Sequence, residues 1–133
     1  KEIGLTDFPW MLSPEGVCSG GNGVSLTTGD MLRIGLLYLN KGKWNGKQLI
    51  PSQWVEEATR SHIVSDEGDD EIGTDYGFLF WMMPDGMFRA DGKYGQYCVV
   101  VPRKNAVIAI NSMQIENEKK VLRPAVRTVL PLL

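Results

Sequence analysis

The stretch Gln96-Tyr97-Cys98-Val99-Val100-Val101-Pro102-Arg103-Lys104-Asn105-Ala106-Val107-Ile108-Ala109-Ile110-Asn111 decides the fold of this chain. It contains two apolar runs rich in β-branched residues, which favour strands, on either side of a polar turn. Strands joined by so short a turn pair antiparallel, because parallel pairing needs a long crossover. Since both runs are almost continuously apolar, we expect both faces of this hairpin to be covered.

The residues before this hairpin extend the predicted sheet. Residues 87–90 form a short extended run that follows a Pro-Asp-Gly turn. The segment Asp91-Gly92-Lys93-Tyr94-Gly95 has good turn chemistry and predicts the connection from this run to the strand over 96–101. We therefore predict an antiparallel meander within residues 76–112.

Two helical patterns precede the meander. Thr27 is placed to cap a helix, with Asp30 three residues later as the partner in a capping box. Apolar residues at helical spacing predict that this helix covers residues 28–40. A tight turn is predicted at Trp44-Asn45-Gly46-Lys47, because Asn-Gly tolerates positive φ angles. A second helix over about 51–60 would have Pro51 in its first turn.

One helical pattern follows the meander. Apolar residues at helical spacing predict a C-terminal helix over residues 117–130, covering one face of the sheet. Pro124 lies inside this pattern, so the helix either starts near Leu122 or kinks. With an irregular lead-in over 1–26 and a helical part over 27–62, the chain is predicted to be a single, partial α+β domain.

Composition excludes several classes of protein. The 133 residues are 43% hydrophobic, which is too apolar for a wholly disordered chain, and no run is long enough to span a membrane. The net charge of −2 gives no basic surplus for nucleic acid. The two cysteines, Cys18 and Cys98, are expected to be small buried apolar side chains. The chain opens Lys1-Glu2-Ile3, which is typical of a processed or truncated piece, and its compartment is left open.

An acidic segment covers residues 65–75. It is interpreted as a solvated loop, since its like charges repel one another and the ligand spacing of an EF-hand calcium loop is absent. The six acids are Asp66, Glu67, Asp69, Asp70, Glu71 and Asp75. We predict no metal site and no cofactor.

The usual catalytic motifs are absent. His62 is the only histidine, and it is expected at the surface after the second helix. Gly16-Val17-Cys18-Ser19-Gly20 resembles the cysteine form of a nucleophile elbow, but it lacks the flanking strand and helix. No serine has a lysine three residues later, so a serine activated by a lysine one helical turn away is missing. We predict no catalytic residue in this chain.

Three blocks of sequence nevertheless resemble one family. They are Gly23-Val24-Ser25-Leu26-Thr27-Thr28-Gly29-Asp30-Met31, then Gly42-Lys43-Trp44-Asn45-Gly46-Lys47 through Trp54-Val55, and then Tyr76-Gly77-Phe78 with Ala90-Asp91-Gly92-Lys93-Tyr94-Gly95-Gln96-Tyr97 and Val101-Pro102. In order and spacing they are similar to the C-terminal part of the serine β-lactamase and penicillin-binding-protein superfamily, in its class C β-lactamase-like and esterase-like branch.

The resemblance implies a function for the parent protein. Members of the family attack amides or esters with a Ser-x-x-Lys serine, so this chain would be a C-terminal fragment, inactive alone. The family's third motif would fall at Asp91-Gly92-Lys93, which implies a substrate-binding set of Asp91, Gly92, Lys93, Tyr94 and Gln96. An acid stands where the family has a base, so Asp91 would repel an anionic substrate and only a re-aimed Lys93 would attract it.

Two alternatives remain open at this point. Asp91 and Lys93 serve either the cleft or only a hairpin turn. The chain is either part of a serine hydrolase or a non-catalytic binding module with a degenerate β-lactamase-like fold. The resemblance also implies that strand 106–111 lies beside strands of the missing N-terminal half. Without them, this apolar edge is expected to self-associate or to be covered by a rearrangement.

Overall fold

The computed structural model describes residues 2–64, 71–113 and 119–133. In chain order the elements are α1 (Thr28–Leu39), β1 (Lys43–Trp44), β2 (Lys47–Gln48), α2 (Ser52–Ala58), β3 (Trp81–Met82), β4 (Phe88–Gly92), β5 (Gln96–Val101), β6 (Ala106–Ile110) and α3 (Lys119–Val129). Short 3₁₀ turns cover Pro84–Gly86, Pro102–Lys104 and Leu130–Leu132.

The first helix begins at the capping box that the sequence predicts. Thr27 Oγ1 accepts a hydrogen bond from the backbone N–H of Asp30 at 3.1 Å. The Asp30 carboxylate accepts in return from the Thr27 backbone N–H at 3.2 Å. The hydrogen bond from the Thr27 side chain lowers the pKa of Asp30, and the Arg33 guanidinium acts in the same direction. The helix start is therefore fixed by local hydrogen bonds and charge.

The hairpin and the short helix after α1 also match their sequence signals. Asn45 and Gly46 have φ angles of 46° and 82° between β1 and β2, as the predicted Asn-Gly turn requires. The second helix starts directly after Pro51 but ends at Ala58, which is shorter than the predicted span of about 51–60. Thr59 is its C-cap.

The last four strands form one antiparallel sheet in the order β3-β4-β5-β6. Phe88 of β4 lies opposite Val100 of β5, which in turn lies opposite Val107 of β6. Each strand is joined to the next by a short turn, so the predicted meander is confirmed. With the helices that pack on it, the sheet gives the α+β fold that the sequence predicts.

Helices cover both faces of β5. Tyr97, Val99 and Val101 belong to a buried cluster that includes Leu122 of α3. On the other face, Gly35 brings α1 close to the sheet, because a Cβ there would lie 2.5 Å from Val107 Cγ1 and 2.7 Å from Cys98 Sγ. The expectation of two covered faces is confirmed, and the lack of a Gly35 side chain sets the distance between α1 and the sheet.

The third helix is present where the sequence predicts it. It begins at Lys119 with Pro124 inside it, which excludes the alternative of a start near Leu122. Residues 117 and 118 of the predicted helix lie outside the described residues. Pro124 removes one helical N–H, but Leu122 is 1% exposed against the sheet, so tertiary packing holds the helix across this position.

Part of the acidic segment is not a solvated loop. Residues 65–70 lie outside the described residues, but Ile72 is fully buried in the cluster under α3. Glu71 accepts hydrogen bonds from Arg127 Nε at 2.6 Å and from Arg123 Nη1 at 3.0 Å. The expectation that these acids stay exposed is wrong for residue 71, because arginines one helical turn apart on α3 neutralise it.

At the far side of the sheet, β6 pairs with β5, and no described residue pairs with its other edge. Its five residues are all half-buried. Across the described ranges, no helix is both long enough and apolar enough to span a membrane.

Candidate functional site

The sequence leaves open whether residues 91–95 form only a turn or also line a cleft. The structure places part of this segment in a strand and the rest in a turn. Asp91 and Gly92 belong to β4, where they lie opposite Tyr97 and Gln96. The turn is formed by Lys93, Tyr94 and Gly95 alone, with positive φ angles at Tyr94 (72°) and Gly95 (88°). Interpretation as a turn only is therefore wrong for Asp91, because the β4–β5 ladder continues past it.

A cavity of about 480 Å³ opens where the α1 end of the chain meets β4 and β5. Of the five residues predicted to bind substrate, Asp91, Gly92 and Gln96 line it, whereas Lys93 and Tyr94 are not among its lining residues. The other described residues that line it are Val24, Ser25, Leu26, Met31, Ile34, Ala90, Cys98 and Asn111. Its size is within the range of small-molecule sites.

The charge of Asp91 is held by a buried arginine. Arg89 Nε lies 2.9 Å from the Asp91 carboxylate, and the Arg89 side chain is 4% exposed. Arg89 also donates to the backbone oxygen of Ile72 and lies 5.7 Å from the Trp81 ring centroid. Strand alternation places Arg89 and Asp91 on the face opposite α1. The Asp91 carboxylate, which the sequence predicts to repel an anionic substrate, is thus paired with a cation.

Lys93 is also placed differently from expectation. Its Nζ lies over the ring of its neighbour Tyr94, 5.0 Å from the centroid. This cation–π contact keeps the ammonium group on the turn. The expectation that only a re-aimed Lys93 would attract an anionic substrate stays a prediction.

Gln96 and Gly92 form the polar floor of the cavity. Gln96 Nε2 donates to the Ser112 carbonyl at 2.8 Å. A Cβ on Gly92 would lie 2.6 Å from Gln96 Oε1, so glycine is what lets this carboxamide lie across β4. Ser112 Oγ donates to the Gly95 carbonyl at 2.7 Å and thereby ties the same turn to the end of β6.

Neither cysteine is arranged as a nucleophile. Burial raises the pKa of Cys98 to about 11, and its thiol donates to the Met31 carbonyl at 3.3 Å. Cys18 is free and exposed, so the expectation that it is buried is wrong. It lies in an isolated bridge with Leu12, and the next helix begins only at Thr28, which leaves the elbow resemblance without structural support.

His62 lies at the surface after α2, and its ring packs on a neighbouring aromatic side chain. Its ring stacks on Phe78 with centroids 4.2 Å apart, and its Nε2 lies 2.8 Å from the Glu57 carbonyl. Although its side chain is 23% exposed, the residue as a whole is exposed, so the predicted surface position after α2 is confirmed. Among the residues that the structure describes, no three His, Cys, Asp or Glu side chains are grouped to hold a metal ion.

A solved hydrolase structure is similar to this chain. No family model matches the chain, and no curated protein matches it. A solved structure from Bacillus anthracis, named as a 6-aminohexanoate-dimer hydrolase, matches with a TM-score of 0.68 at 27% sequence identity. The match covers 91% of this chain and 32% of that chain, so this chain spans about a third of that protein's length. That protein has the β-lactamase-like hydrolase fold, which confirms the predicted fold class.

Several lining residues were missed by sequence reasoning. Met31 and Ile34 lie one turn apart on α1, and Ala90 and Cys98 lie opposite each other in the β4–β5 register. Helical spacing and strand alternation each identify one wall. The sequence pattern does not show that these two walls face each other across the cavity.

Proposed function

We propose that this chain is the C-terminal part of a serine hydrolase of the β-lactamase fold, acting on amides or esters. It supplies one wall of the substrate cleft and not the nucleophile. The observation that carries the proposal is the match to a hydrolase of this fold that extends over 91% of this chain but only 32% of the other. The absence of a Ser-x-x-Lys sequence agrees with a nucleophile supplied from elsewhere.

The substrate-binding wall is assigned to the end of β4, the turn after it and the start of β5. Gly92 has no side chain, which leaves this face of β4 to the Gln96 carboxamide, and a substrate is proposed to meet Gln96 there. Gln96 offers the polar group of the cavity floor, and Asp91 holds the strand through Arg89. Lys93 and Tyr94 lie on the turn beside the cavity and are proposed to contact the part of a substrate that extends out of it.

The chemical class of the substrate follows the neighbour and the cavity. The matched protein is named for hydrolysis of an aliphatic amide, the 6-aminohexanoate dimer. A predominantly apolar cavity suits such a chain better than the carboxylate of a β-lactam. We therefore rank amide or ester hydrolysis above a penicillin-binding role.

The partner of this chain is proposed to be the remaining half of the parent domain. The outer edge of β6 leaves backbone groups unpaired among the described residues. A strand supplied by that half would complete the sheet and cover apolar side chains. Self-association through the same edge is the proposed outcome in its absence.

The test is to express the reading frame with the region upstream of Lys1. A Ser-x-x-Lys about 200 residues before Asp91 is expected, given the size of a whole domain of this kind. The longer protein should hydrolyse a short-chain nitrophenyl ester or the 6-aminohexanoate dimer, and this chain alone should hydrolyse neither these nor a chromogenic β-lactam. Turnover by the repurified chain alone would contradict the proposal.

A variant pair connects the activity to the cavity. Gly92→Val places a side chain against Gln96 Oε1 and should lower kcat/KM of the longer protein by about tenfold or more. Gly20→Ala is the matched control, because a Cβ at Gly20 meets nothing within 4 Å. Absence of any activity, with a start codon near Lys1, would favour a non-catalytic binding module.

A further inference from the structure

Gln96 is held in one orientation on the wall of the cavity. Its backbone lies opposite Gly92, and strand alternation turns its side chain to the face that α1 covers. Nε2 donates to the Ser112 carbonyl at 2.8 Å, which decides which end of the carboxamide is the nitrogen. Oε1 is consequently the end that lies over Gly92.

This oxygen is an acceptor without a donor. The hydrogen bond that the structure gives the Gln96 side chain is made by its nitrogen. Within the described ranges, no N–H or O–H group donates to Oε1. A half-buried carbonyl oxygen gains most from a ligand that brings its own N–H.

The rest of the cavity is neutral. Asp91 is the one charged residue among the described lining residues, and its carboxylate is bound by Arg89. The Cys98 thiol already donates to the Met31 carbonyl. A charged ligand would lose water here without gaining a counter-ion, whereas an aliphatic chain would bury apolar surface.

We propose that Gln96 selects amides over esters. Its Oε1 accepts the N–H of an uncharged secondary amide whose aliphatic chain lies along α1 and β4. An ester of the same shape places an oxygen lone pair at this position and therefore binds less tightly. As a statement about substrates this rests on the proposed function, but the binding preference is a property of this chain itself.

The test compares two neutral probes of matched shape, N-methylhexanamide and methyl hexanoate. Each is titrated into the chain while the backbone amide signals of Ala90, Gly92 and Cys98, which line the cavity, are followed by NMR. These signals are present in the wild-type chain and in Gln96→Met alike. The amide should bind about tenfold more tightly than the ester, as expected for one net hydrogen bond. Gln96→Met keeps the length but removes the acceptor, so the two probes should then bind equally.

Ser112→Ala is the matched control. It removes the Oγ hydrogen bonds to the same turn but keeps the backbone carbonyl that orients Gln96. This variant should retain the preference for the amide.

Equal binding of the probes to the wild-type chain, a preference that survives in Gln96→Met, or no binding of either probe would overturn the assignment. Hydrolysis by the longer protein without this preference would refute the Gln96 role alone, and preference without hydrolysis would refute the proposed function alone.

Discussion

Arg89 connects three parts of the molecule through one side chain. It is 3% exposed, binds the Asp91 carboxylate and donates to the backbone oxygens of Ile72 and Gly73. A buried cation is stable only when its donors are matched, and here they are matched by one carboxylate and two carbonyls. Arg89 thus joins the strand beside the cavity to the segment that α3 covers.

Replacing Arg89 with methionine should therefore destabilise the fold strongly. Arg89→Met removes the hydrogen bonds that Arg89 donates to Asp91 and to two carbonyl groups, and we expect a loss of about 3 kcal/mol in the free energy of unfolding. Urea unfolding measures it. Arg103→Met is the control, because its pair with Asp85 is exposed and should contribute about 0–1 kcal/mol. Similar losses in both variants would show that the Arg89 contacts contribute little.

Two glycines of α1 should respond to alanine with opposite signs. Gly35→Ala should cost about 1–3 kcal/mol, because the new Cβ overlaps Val107 and Cys98. Gly29→Ala meets only ordinary contacts, at 3.7 Å or more, and should gain up to about 1 kcal/mol from helix propensity. Thermal unfolding of the two variants measures both effects. Stabilisation by Gly35→Ala would mean that α1 sits farther from the sheet than described.

At the scale of elements, the acidic segment and α3 are joined by charge. The hydrogen bond from Arg127 lowers the pKa of Glu71, with Arg123 adding to the effect. A carboxylate whose folded pKa is lowered contributes its full stabilisation above its ordinary value, 4.5 here. The contribution is lost as pH falls through the lower, folded pKa.

Glu71→Gln should remove this pH dependence. The wild-type chain should be more stable than Glu71→Gln at pH 7, and the difference should shrink as pH falls below about 4.5. Urea midpoints at several pH values between 3 and 7 measure it. Glu56→Gln, which loses an exposed pair with Lys41, should change little. A difference that stays constant with pH would contradict the role of Glu71.

Elements were predictable where the signal is local. Thr27 with Asp30 fixes the start of α1, and Asn45-Gly46 fixes the first hairpin, because both depend on residues within one turn. Ile72 was missed because its burial depends on apolar residues distant in the sequence, among them Leu122, which is fifty residues away. The Arg89–Asp91 pair had a usable signal, since residues two apart in a strand share a face.

The cavity is a property of the whole molecule, which is why its residues were only partly predicted. Asp91, Gly92 and Gln96 came from the family resemblance, and they do line it. Its other wall is α1 and the segment before it, and the packing of α1 against β5 and β6 depends on Gly35. The sequence pattern of a single helix or strand does not predict this contact between α1 and the sheet.

The edge of β6 should control the association state of the chain. Its outward amides have no partner among the described residues, so we expect concentration-dependent self-association in sedimentation experiments. Hydrogen exchange of residues 106–110 should slow as concentration rises. Ile108→Lys is a poor blocking variant, because Ile108 packs against the core cluster.

Trp54→Gln is the control for association through other exposed apolar residues. It removes an exposed aromatic side chain outside β6 and should leave association unchanged. A monomer at all concentrations, with constant exchange over β6, would contradict the prediction.

The reaction rates of the two free thiols can show how often α1 separates from the sheet. Cys18 is exposed and should react with a disulfide reagent immediately, whereas Cys98 lies buried under α1. With a pKa of about 11, roughly one Cys98 in a thousand is a thiolate at pH 8, even before access is considered. The slow phase of labelling therefore reports how often α1 lifts from the sheet. Gly35→Ala should accelerate that phase and leave the fast one unchanged, so the lifetime of the closed cavity wall becomes measurable in an ordinary spectrophotometer.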